Sequence, residues 1–286
     1  MTIRDAIEQY TEHLSQRGVE SARLSAELIA AHVMDMDRAQ IMAHPDQEID
    51  PRRQNQLDML MNRRMKHEPV PYITEEVEFY SIKLAISKGV FIPRPETETL
   101  VDAALEAAKE LPHAPKFYDL CTGSCNITIA LAHNLEDGEF WASDISNLAI
   151  QIANINVREH DLTNFVELRE GALFNPLRNE LSKNFDILVC NPPYIKSHEI
   201  PKLAQQIKDY EPVMALDGGR DGMTFIKSVL DGAPPMMARG GYIFLEADPA
   251  IIPIIRTEVR RRAAFEDFVI HKDLNGQDRV CQFRLR

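Results

Sequence analysis

"FYDLCTGSCNI", residues 117–127, decides the fold, because it changes from a strand pattern to a helix pattern across one tight turn. Its first four residues form an apolar, aromatic-rich run that is typical of a buried strand. Thr122-Gly123-Ser124 predicts the turn, and a helix is expected from about Ser124. Backbone amides at such a corner face whatever binds in front of the helix. The stretch therefore predicts an α/β fold with a ligand site where this strand ends.

The same alternation of strand and helix continues toward the C-terminus. Further strands are predicted at "FWAS", "FVEL", "FDILVC" and "GYIFLE", with helices from about Ser146 and about Asp221 and another through Arg262. Two late strands, "FEDFVI" and "VCQFRL", follow without a helix between them. Alternation of this kind specifies a mostly parallel sheet with helices on both faces.

Residues 1–73 differ, because they show only helical patterns, from which four helices and a small all-helical domain are predicted. The apolar residues of the first helix recur at helical spacing: Ile3, Ala6, Ile7, Tyr10 and Leu14. "VEFYSIKLAI", residues 77–86, is β-rich with a polar break and predicts a short hairpin. We therefore expect a helical domain over 1–73, a β-hairpin linker over 74–92 and the α/β domain over 93–286.

Composition limits the possible partners. The chain of 286 residues has 32 basic and 44 acidic side chains and a formal net charge of −12. Binding to nucleic-acid phosphates depends on Lys and Arg, so direct nucleic-acid contact is not expected and a protein or small-molecule partner is favoured. The N-terminus has no apolar signal segment, and no apolar run is long enough to span a membrane. We expect a cytoplasmic monomer that does not contact a membrane.

The cysteines and histidines predict neither a disulfide framework nor a metal site. The four cysteines are few for a chain of this length and lie in apolar surroundings, which fits a reducing compartment. Cys121 and Cys125 have no second ligand pair, and the nine histidines are scattered. We therefore expect no metal.

The second strand of the α/β domain ends in Asp144, about twenty residues after the first turn. An acid at this place can accept hydrogen bonds from both hydroxyls of a ribose, so turn and acid together indicate a nucleoside cofactor. The phosphate-binding pattern G-x-G-x-x-G and a Walker lysine are both missing, which disfavours dinucleotides and ATP. The alternative is an ordinary strand–turn–helix corner next to an exposed acid.

Asn191-Pro192-Pro193-Tyr194 ends the strand "FDILVC", which we expect beside the first strand. Two prolines remove amide donors and fix φ, so the Pro192 carbonyl is expected to lack a ladder partner. That carbonyl and the Asn191 side-chain oxygen provide two acceptors, and Tyr194 provides an aromatic face. Together they would hold a planar group that bears an NH2. The alternative is a simple Pro-Pro turn.

With these motifs in this order, the chain resembles the S-adenosylmethionine-dependent N5-glutamine methyltransferases that modify bacterial and organellar class I release factors. The resemblance extends over nearly the whole length. The matching blocks are "HEPVPYI" (67–73), "FIPRPETETLV" (91–101), "DLCTGSC" (119–125), "SDIS" (143–146), "NPPYI" (191–195), "YEPVMALDGGRDGMTFI" (210–226) and "DLNGQDRV" (273–280).

The resemblance implies a class I, Rossmann-like methyltransferase domain with a seven-stranded, mostly parallel sheet that has one antiparallel strand near its edge. It implies methyl transfer from S-adenosylmethionine, giving S-adenosylhomocysteine, to the glutamine of a release factor's Gly-Gly-Gln loop. Asn191, Pro192, Pro193 and Tyr194 would seat the glutamine and carry the catalytic role. The implied cofactor-binding residues are Asp119, Cys121, Thr122, Gly123, Ser124, Cys125, Asp144, Leu173 and Asn191.

Some positions differ from the family pattern and keep other functions open. Cys121 and Cys125 replace glycines of the cofactor loop, and Ala172 stands where the family usually has an acid. One alternative is methylation of another target, either a ribosomal-protein glutamine or the exocyclic amine of a nucleic-acid base. A second is a non-catalytic paralogue with a weakened cofactor site.

Two further blocks have structural explanations at the level of sequence. "RPETE", residues 94–98, is suited to open a helix, because acids favour a helix N-terminus. "LDGGRDG", residues 216–222, is expected to be a glycine-rich loop before a helix. A direct contact of the first block with substrate is the alternative.

Overall fold

The computed structural model of the chain describes residues 1–177 and 184–286. The α-helices are α1 Ile3–Gln16, α2 Ala22–Met34, α3 Arg38–Ala43, α4 Pro51–Arg64, α5 Val70–Thr74, α6 Glu98–Lys109, α7 Asn126–His133, α8 Asn147–Glu159, α9 Gln205–Lys208, α10 Val213–Leu216, α11 Thr224–Gly232 and α12 Ile252–Arg261. The strands are β1 Glu76–Phe79, β2 Ile82–Ala85, β3 Lys116–Leu120, β4 Glu139–Asp144, β5 Val166–Glu170, β6 Phe185–Cys190, β7 Met237–Glu246, β8 Phe265–Lys272 and β9 Asp278–Leu285.

The chain forms two compact units. The first comprises Met1–Glu76 and the later segment Ala204–Tyr210, and the second comprises Val77–Leu203 and Glu211–Arg286. The division of the chain at residues 73/74 and 92/93 stays a prediction.

The first unit is a bundle of short helices whose ends carry clear start signals. Thr2 and Asp37 each form a capping box with the residue three positions later, and Asp50 caps α4 just before a proline. The four predicted helices are present as α1 to α4. The additional helix α5 has five residues, too few to show an apolar period in the sequence.

A buried arginine holds the later segment to this bundle. Arg64 is 3% exposed, and burial lowers the pKa of its guanidinium. It donates hydrogen bonds to the Ser25 hydroxyl at 3.1 Å, to the Glu68 carbonyl at 3.0 Å and to Gln206 Oε1 at 3.1 Å. Because Ser25 and Gln206 lie far from Arg64 in the sequence, one side chain fixes α9 against the bundle.

The second unit is built on a seven-stranded sheet in the order β5-β4-β3-β6-β7-β9-β8. Neighbouring strands are parallel from β5 to β7, and β9 is antiparallel to both β7 and β8. The predicted class I methyltransferase sheet, mostly parallel with one antiparallel strand near its edge, is therefore confirmed.

Helices cover both faces of this sheet because successive strand residues point to opposite sides. Phe117 and Ile187 belong to the apolar layer that contains α6, α7 and α8. Tyr118 and Leu188, the next residue of each strand, belong to the layer that contains α11 and α12. The hairpin of β1 and β2 adds Phe79 to the first layer.

Two helices of the second unit begin later than predicted, and backbone conformation explains both differences. α7 was expected from about Ser124 and begins at Asn126, because Cys125 has a φ of +69° and lies outside the helical region. α11 was expected from about Asp221 and begins at Thr224, after Gly222 with a φ of +76°.

The register of the sheet determines where the loops emerge. Leu120 of β3 is paired with Ser143 of β4 on one side and with Cys190 of β6 on the other. The three strands therefore end at the same level. Their following loops, which contain Cys121, Ile145 and Asn191, must leave the sheet side by side.

Candidate active site

A cleft lies at this edge of the sheet, entirely within the second unit. The loops after β3, β4, β5 and β6 line it with residues 121–123, 143–146, 171–173 and 191–195. The remaining lining residues are 89–91, Thr97, Asn126, Ile127, Ala149, Pro212, 214–216 and Phe225.

Most of the predicted site residues meet in this cleft. Those that line it are Cys121, Thr122, Gly123, Asp144, Leu173, Asn191, Pro192, Pro193 and Tyr194. Asp119, Ser124 and Cys125 do not line it and are each buried at 1% exposure or less. They lie in or just before the loop that follows β3.

Asp119 fixes that loop from below. Its Oδ2 accepts hydrogen bonds from the Thr122 hydroxyl at 2.6 Å and from the Thr128 hydroxyl at 2.8 Å. Its Oδ1 is buried and has no hydrogen-bond partner within the described part of the chain. Burial raises the pKa of Asp119 to about 7, against the two threonine bonds, which favour the charged form. One oxygen of this carboxyl group therefore stays unpaired within the described residues, below Thr122, which itself lines the cleft.

Asp144 connects the loop after β3 with the loop after its own strand. Its Oδ2 accepts the Gly123 N–H at 2.9 Å, and its Oδ1 accepts the Ser146 N–H at 2.9 Å. Burial raises the pKa of this carboxyl, whereas the backbone bonds lower it. An ionised carboxylate has about four acceptor positions, so these backbone donors leave room for a hydroxyl donor.

The motif Asn191 to Tyr194 presents its polar groups to the cleft from a rigid base. Pro192 and Pro193 are buried, and Asn191 and Tyr194 are half-buried. The Asn191 Nδ2 donates to the Thr97 hydroxyl oxygen at 3.3 Å, which leaves Asn191 Oδ1 as the acceptor at the other end of the amide. No hydrogen bond to the Pro192 carbonyl occurs in residues 1–177 and 184–286. The motif thus keeps two oxygens free to accept.

The glycine-rich loop 216–222 supports this motif from behind. The Ile195 N–H donates to the Leu216 carbonyl at 3.0 Å, and the Gly218 N–H donates to the Ile195 carbonyl at 2.8 Å. A Cβ at Gly218 would lie 2.6 Å from the Tyr194 Cα. The loop therefore needs glycine for close backbone approach, whereas the residue pattern alone predicts only a glycine-rich loop.

The block "RPETE" does more than open a helix. Arg94 forms an ion pair with buried Glu211, and its guanidinium lies 4.8 Å from the centroid of the Phe91 ring. Phe91 and Thr97 both line the cleft. The sequence pattern favours only the helix-opening role. The ion pair of Arg94 with Glu211 and the place of Phe91 and Thr97 in the cleft are visible only from tertiary contacts.

Other cleft residues were missed in the sequence. Ile145 is 55% exposed although it is large and apolar, and it lines the cleft next to Asp144. Val90 and Phe225 line it from segments with no polar motif. The one available signal was the position of Ile145 directly after a strand-ending acid.

The residues that the structure describes contain neither a metal-binding cluster nor a membrane-spanning helix. Among them, no cluster of three or more His, Cys, Asp or Glu side chains has an arrangement that would hold a metal ion. Within the same residues, no helix combines the length and apolar character needed to cross a membrane.

Comparison with protein families matches the two parts of the chain separately. Residues 5–74 match the PrmC N-terminal domain, and residues 95–213 match the methyltransferase small domain. A release factor glutamine methyltransferase of Clostridium acetobutylicum is 36% identical over 286 residues, covering 98% of this chain and 97% of that protein. The chain belongs to the release factor glutamine methyltransferase family.

Other relatives agree with this membership. The release factor glutamine methyltransferase of Thermodesulfovibrio yellowstonii is 35% identical over 256 residues, covering 89% of this chain and 90% of that protein. Among solved structures, the hMettl16 catalytic domain in complex with MAT2A 3'UTR hairpin 6 has a TM-score of 0.55. It is 14% identical and covers 71% of this chain and 75% of that chain, so it shows a shared fold only.

Relative to the release factor glutamine methyltransferase pattern, the cysteines of the loop keep the backbone that glycine favours. Cys121 has a φ of +61° and Cys125 a φ of +69°. Few residues other than glycine adopt this left-handed region without cost. The loop therefore retains a glycine-type path although side chains are present at both of these positions.

Substitution of Cys121 by valine or by glycine tests this strain. We expect Cys121→Val to lower the free energy of unfolding by about 1–2 kcal/mol, because a β-branched side chain is strongly disfavoured at positive φ. Cys121→Gly is expected to stay within about 1 kcal/mol of the original protein, because relief of strain offsets the greater unfolded-state entropy. Urea denaturation measures the free energy of unfolding of both variants. Equal values for the two would contradict backbone strain at Cys121.

Gly218→Ala tests the support of the Asn-Pro-Pro-Tyr motif. The added Cβ would lie 2.6 Å from the Tyr194 Cα and 2.8 Å from the Pro193 carbonyl oxygen, and neither backbone atom moves easily. We expect the free energy of unfolding to fall by about 1–3 kcal/mol. Gly276→Ala is the control, since its Cβ would meet nothing within 4 Å and only its φ of +75° adds a cost of about 1 kcal/mol. A Gly218→Ala protein at least as stable as the Gly276→Ala protein would refute the close approach of residue 218 to the backbone of Pro193 and Tyr194.

Proposed function

We propose that this protein transfers a methyl group from S-adenosylmethionine to the side-chain amide nitrogen, N5, of the glutamine in the Gly-Gly-Gln loop of a class I peptide chain release factor. The observation that carries the proposal is the pair of free acceptor oxygens, Asn191 Oδ1 and the Pro192 carbonyl, next to the loop that follows β3. Family membership supports the same activity.

The residues of the cleft fit S-adenosylmethionine. Asp119 holds the lining residue Thr122 from below, and its buried Oδ1 has no partner among the described residues, which suits a positively charged ligand in front of that loop. Asp144 has acceptor positions left for ribose hydroxyls, and Leu173 and Ile145 offer apolar walls for a base. In the proposal, the residues that hold or support this ligand are Asp119, Cys121, Thr122, Gly123, Ser124, Cys125, Asp144, Leu173 and Asn191.

When bound, S-adenosylmethionine supplies a methyl group on a positively charged sulfur, which makes the methyl carbon electrophilic. The protein's own task is to prepare the nucleophile. A glutamine amide nitrogen is a poor one, because its lone pair is delocalised into the carbonyl group. Asn191 Oδ1 and the Pro192 carbonyl each accept a hydrogen bond from one of the two N–H groups. This orients the nitrogen and favours its pyramidal form. Tyr194 packs beside the amide plane.

The nitrogen gains a methyl group and must lose a proton. Both acceptor oxygens stabilise the positive charge that develops on the nitrogen, and the proton then passes to solvent. No histidine lines the cleft within the described residues. Positioning of the amide, and not a strong general base, is therefore the main contribution that we assign to the protein.

The partner in this proposal is a class I release factor, and residues 1–73 are its docking domain. Glu8, Glu12, Asp46 and Glu48 illustrate the exposed acidic side chains of this domain. An acidic surface suits a protein partner better than a bare nucleic acid. We place the enzyme in the cytoplasm as a monomer.

The proposal is tested by incubating the protein with S-adenosylmethionine labelled on the methyl group and a class I release factor. Label is expected in the release factor and not in its Gly-Gly-Gln variant with Gln→Ala. Asn191→Ala is expected to lower kcat by about 100-fold or more, because one of two acceptors is lost. The control Asn275→Ala alters an exposed loop residue and should keep full activity.

Each part of this test has a contradicting result. Equal labelling of the release factor and its Gln→Ala variant would exclude the loop glutamine as the acceptor. An Asn191→Ala protein with near-normal kcat would exclude the acceptor role of that side chain. Absence of binding in calorimetry at about 1 mM S-adenosylmethionine would leave the non-catalytic alternative.

A further inference from the structure

Behind the Asn-Pro-Pro-Tyr motif lies a buried carboxyl group that the proposed function leaves without a role. Glu246 is the last residue of β7 and is 1% exposed. Its Oε1 accepts a hydrogen bond from the Tyr194 hydroxyl at 3.4 Å. Its Oε2 is buried and has no hydrogen-bond partner in the part of the chain that the structure describes. A buried acceptor of this kind is costly and calls for a compensating function.

Thr97 connects this carboxyl to the motif. It is 1% exposed and lines the cleft, and its hydroxyl oxygen accepts the Asn191 Nδ2–H at 3.3 Å. The same hydroxyl lies beside Glu246, where it favours the charged form of the carboxyl. Glu246 therefore contacts the motif at Tyr194 and lies beside the threonine that accepts from Asn191.

The direction of these hydrogen bonds follows from counting protons. The Thr97 hydroxyl has one proton and accepts from Asn191, so its own proton must go to another acceptor. An ionised carboxylate can only accept. If ionised Glu246, the carboxylate beside it, takes this proton, the donors run from Asn191 to Thr97 to Glu246, and the reverse direction has no donor at its end.

We infer that Glu246 is a positioning residue, which through Thr97 forces Asn191 to turn its NH2 group inward and its Oδ1 toward the substrate amide. The inference rests on the proposed function. Without the charge, Thr97 is able to donate to Asn191 Oδ1, and the Asn191 amide can rotate by 180°. Its NH2 would then face the NH2 of the glutamine, so that two donors would meet.

Neighbouring groups have opposing effects on the pKa of Glu246. The pKa of Glu246 is raised to about 7, chiefly by burial and in smaller part by Glu96, and Thr97, Arg279 and Tyr194 oppose this rise. Arg279 itself is paired with Asp273 at 3.1 Å. Because this pKa lies above that of an ordinary glutamate, the carboxylate becomes the major form only above about pH 7. Protonation makes Glu246 a donor and removes the fixed direction, so kcat is expected to fall as the pH drops through this range.

The first test compares three variants in methyl transfer to the release factor. Thr97→Val keeps the shape of the side chain and removes the hydroxyl, and Glu246→Leu removes the acceptor. Each is expected to lower kcat by about 10- to 100-fold with little change in KM for S-adenosylmethionine, as for other residues that orient a functional group. Glu246→Gln keeps an acceptor oxygen and is expected to recover part of this loss. Full activity of Thr97→Val would overturn the inference.

The double variant Thr97→Val with Glu246→Leu separates this role from simple packing. If both residues act on Asn191 as one unit, the double variant loses no more kcat than the more impaired single variant. Losses that multiply would indicate independent, structural effects and would contradict the inference. Asp186→Asn is the matched control, because Asp186 is a buried carboxyl at the opposite end of β6 and accepts the Lys116 N–H at 2.9 Å. It should keep wild-type kcat.

The pH profile gives a readout that loss of stability would not change. In the original protein kcat is expected to rise through about pH 7, and in Glu246→Gln this rise should be absent. An unchanged profile in Glu246→Gln would overturn the role of the charge. Failure of the original protein to label the release factor refutes the proposed function itself, whereas labelling that is insensitive to Thr97 and Glu246 refutes only this inference.

Discussion

The parallel pairing of β3 with β6 is the constraint on which the site depends. Leu120 and Cys190 are opposite each other in the ladder, and neither strand continues beyond this level. On one strand the chain turns at Cys121 with a positive φ, and on the other it meets two prolines that have no N–H to donate. The loop that is suited to the methyl donor and the motif that is suited to the acceptor amide therefore begin side by side, at positions set by backbone hydrogen bonds.

Buried carboxyl groups surround this point and determine its polarity. Asp119, Asp144 and Glu246 lie at or near the ends of β3, β4 and β7, and burial raises the pKa of each. Burying such groups costs stability unless they accept well-placed hydrogen bonds, and each of the three does accept at least one. Their concentration at one edge of the sheet is typical of a functional site. In our proposal, Asp119 and Asp144 fix the loops around the methyl donor, and Glu246 sets the direction of the hydrogen bonds behind the amide.

The fold was predictable from the sequence because the local apolar periodicity specifies most of its strands and helices. Strands such as "FDILVC" and capped helices such as α1 follow from apolar spacing and from the residues at their ends. Asp144 and the Asn191–Tyr194 motif were found in the same way, since a ligand site in a parallel sheet lies where strands end. Their meeting in one cleft followed from topology.

Contacts between distant segments were not predictable in this manner. Thr97 lies in a block whose acids and proline already had a local explanation, and nothing in the sequence joins it to Asn191 or Glu246. Glu246 was visible only as part of a strand. The need for glycine at Gly218 depends on a backbone that passes within van der Waals distance from another loop. Such relations exist only after the sheet has formed.

A crystal structure of the protein with S-adenosylhomocysteine and a peptide that contains Gly-Gly-Gln would test the central claim most directly. The glutamine amide nitrogen should lie about 3 Å from both Asn191 Oδ1 and the Pro192 carbonyl oxygen, with the Asn191 NH2 group still directed at Thr97. A glutamine whose amide oxygen faces Asn191, or which is bound away from these two acceptors, would contradict the account.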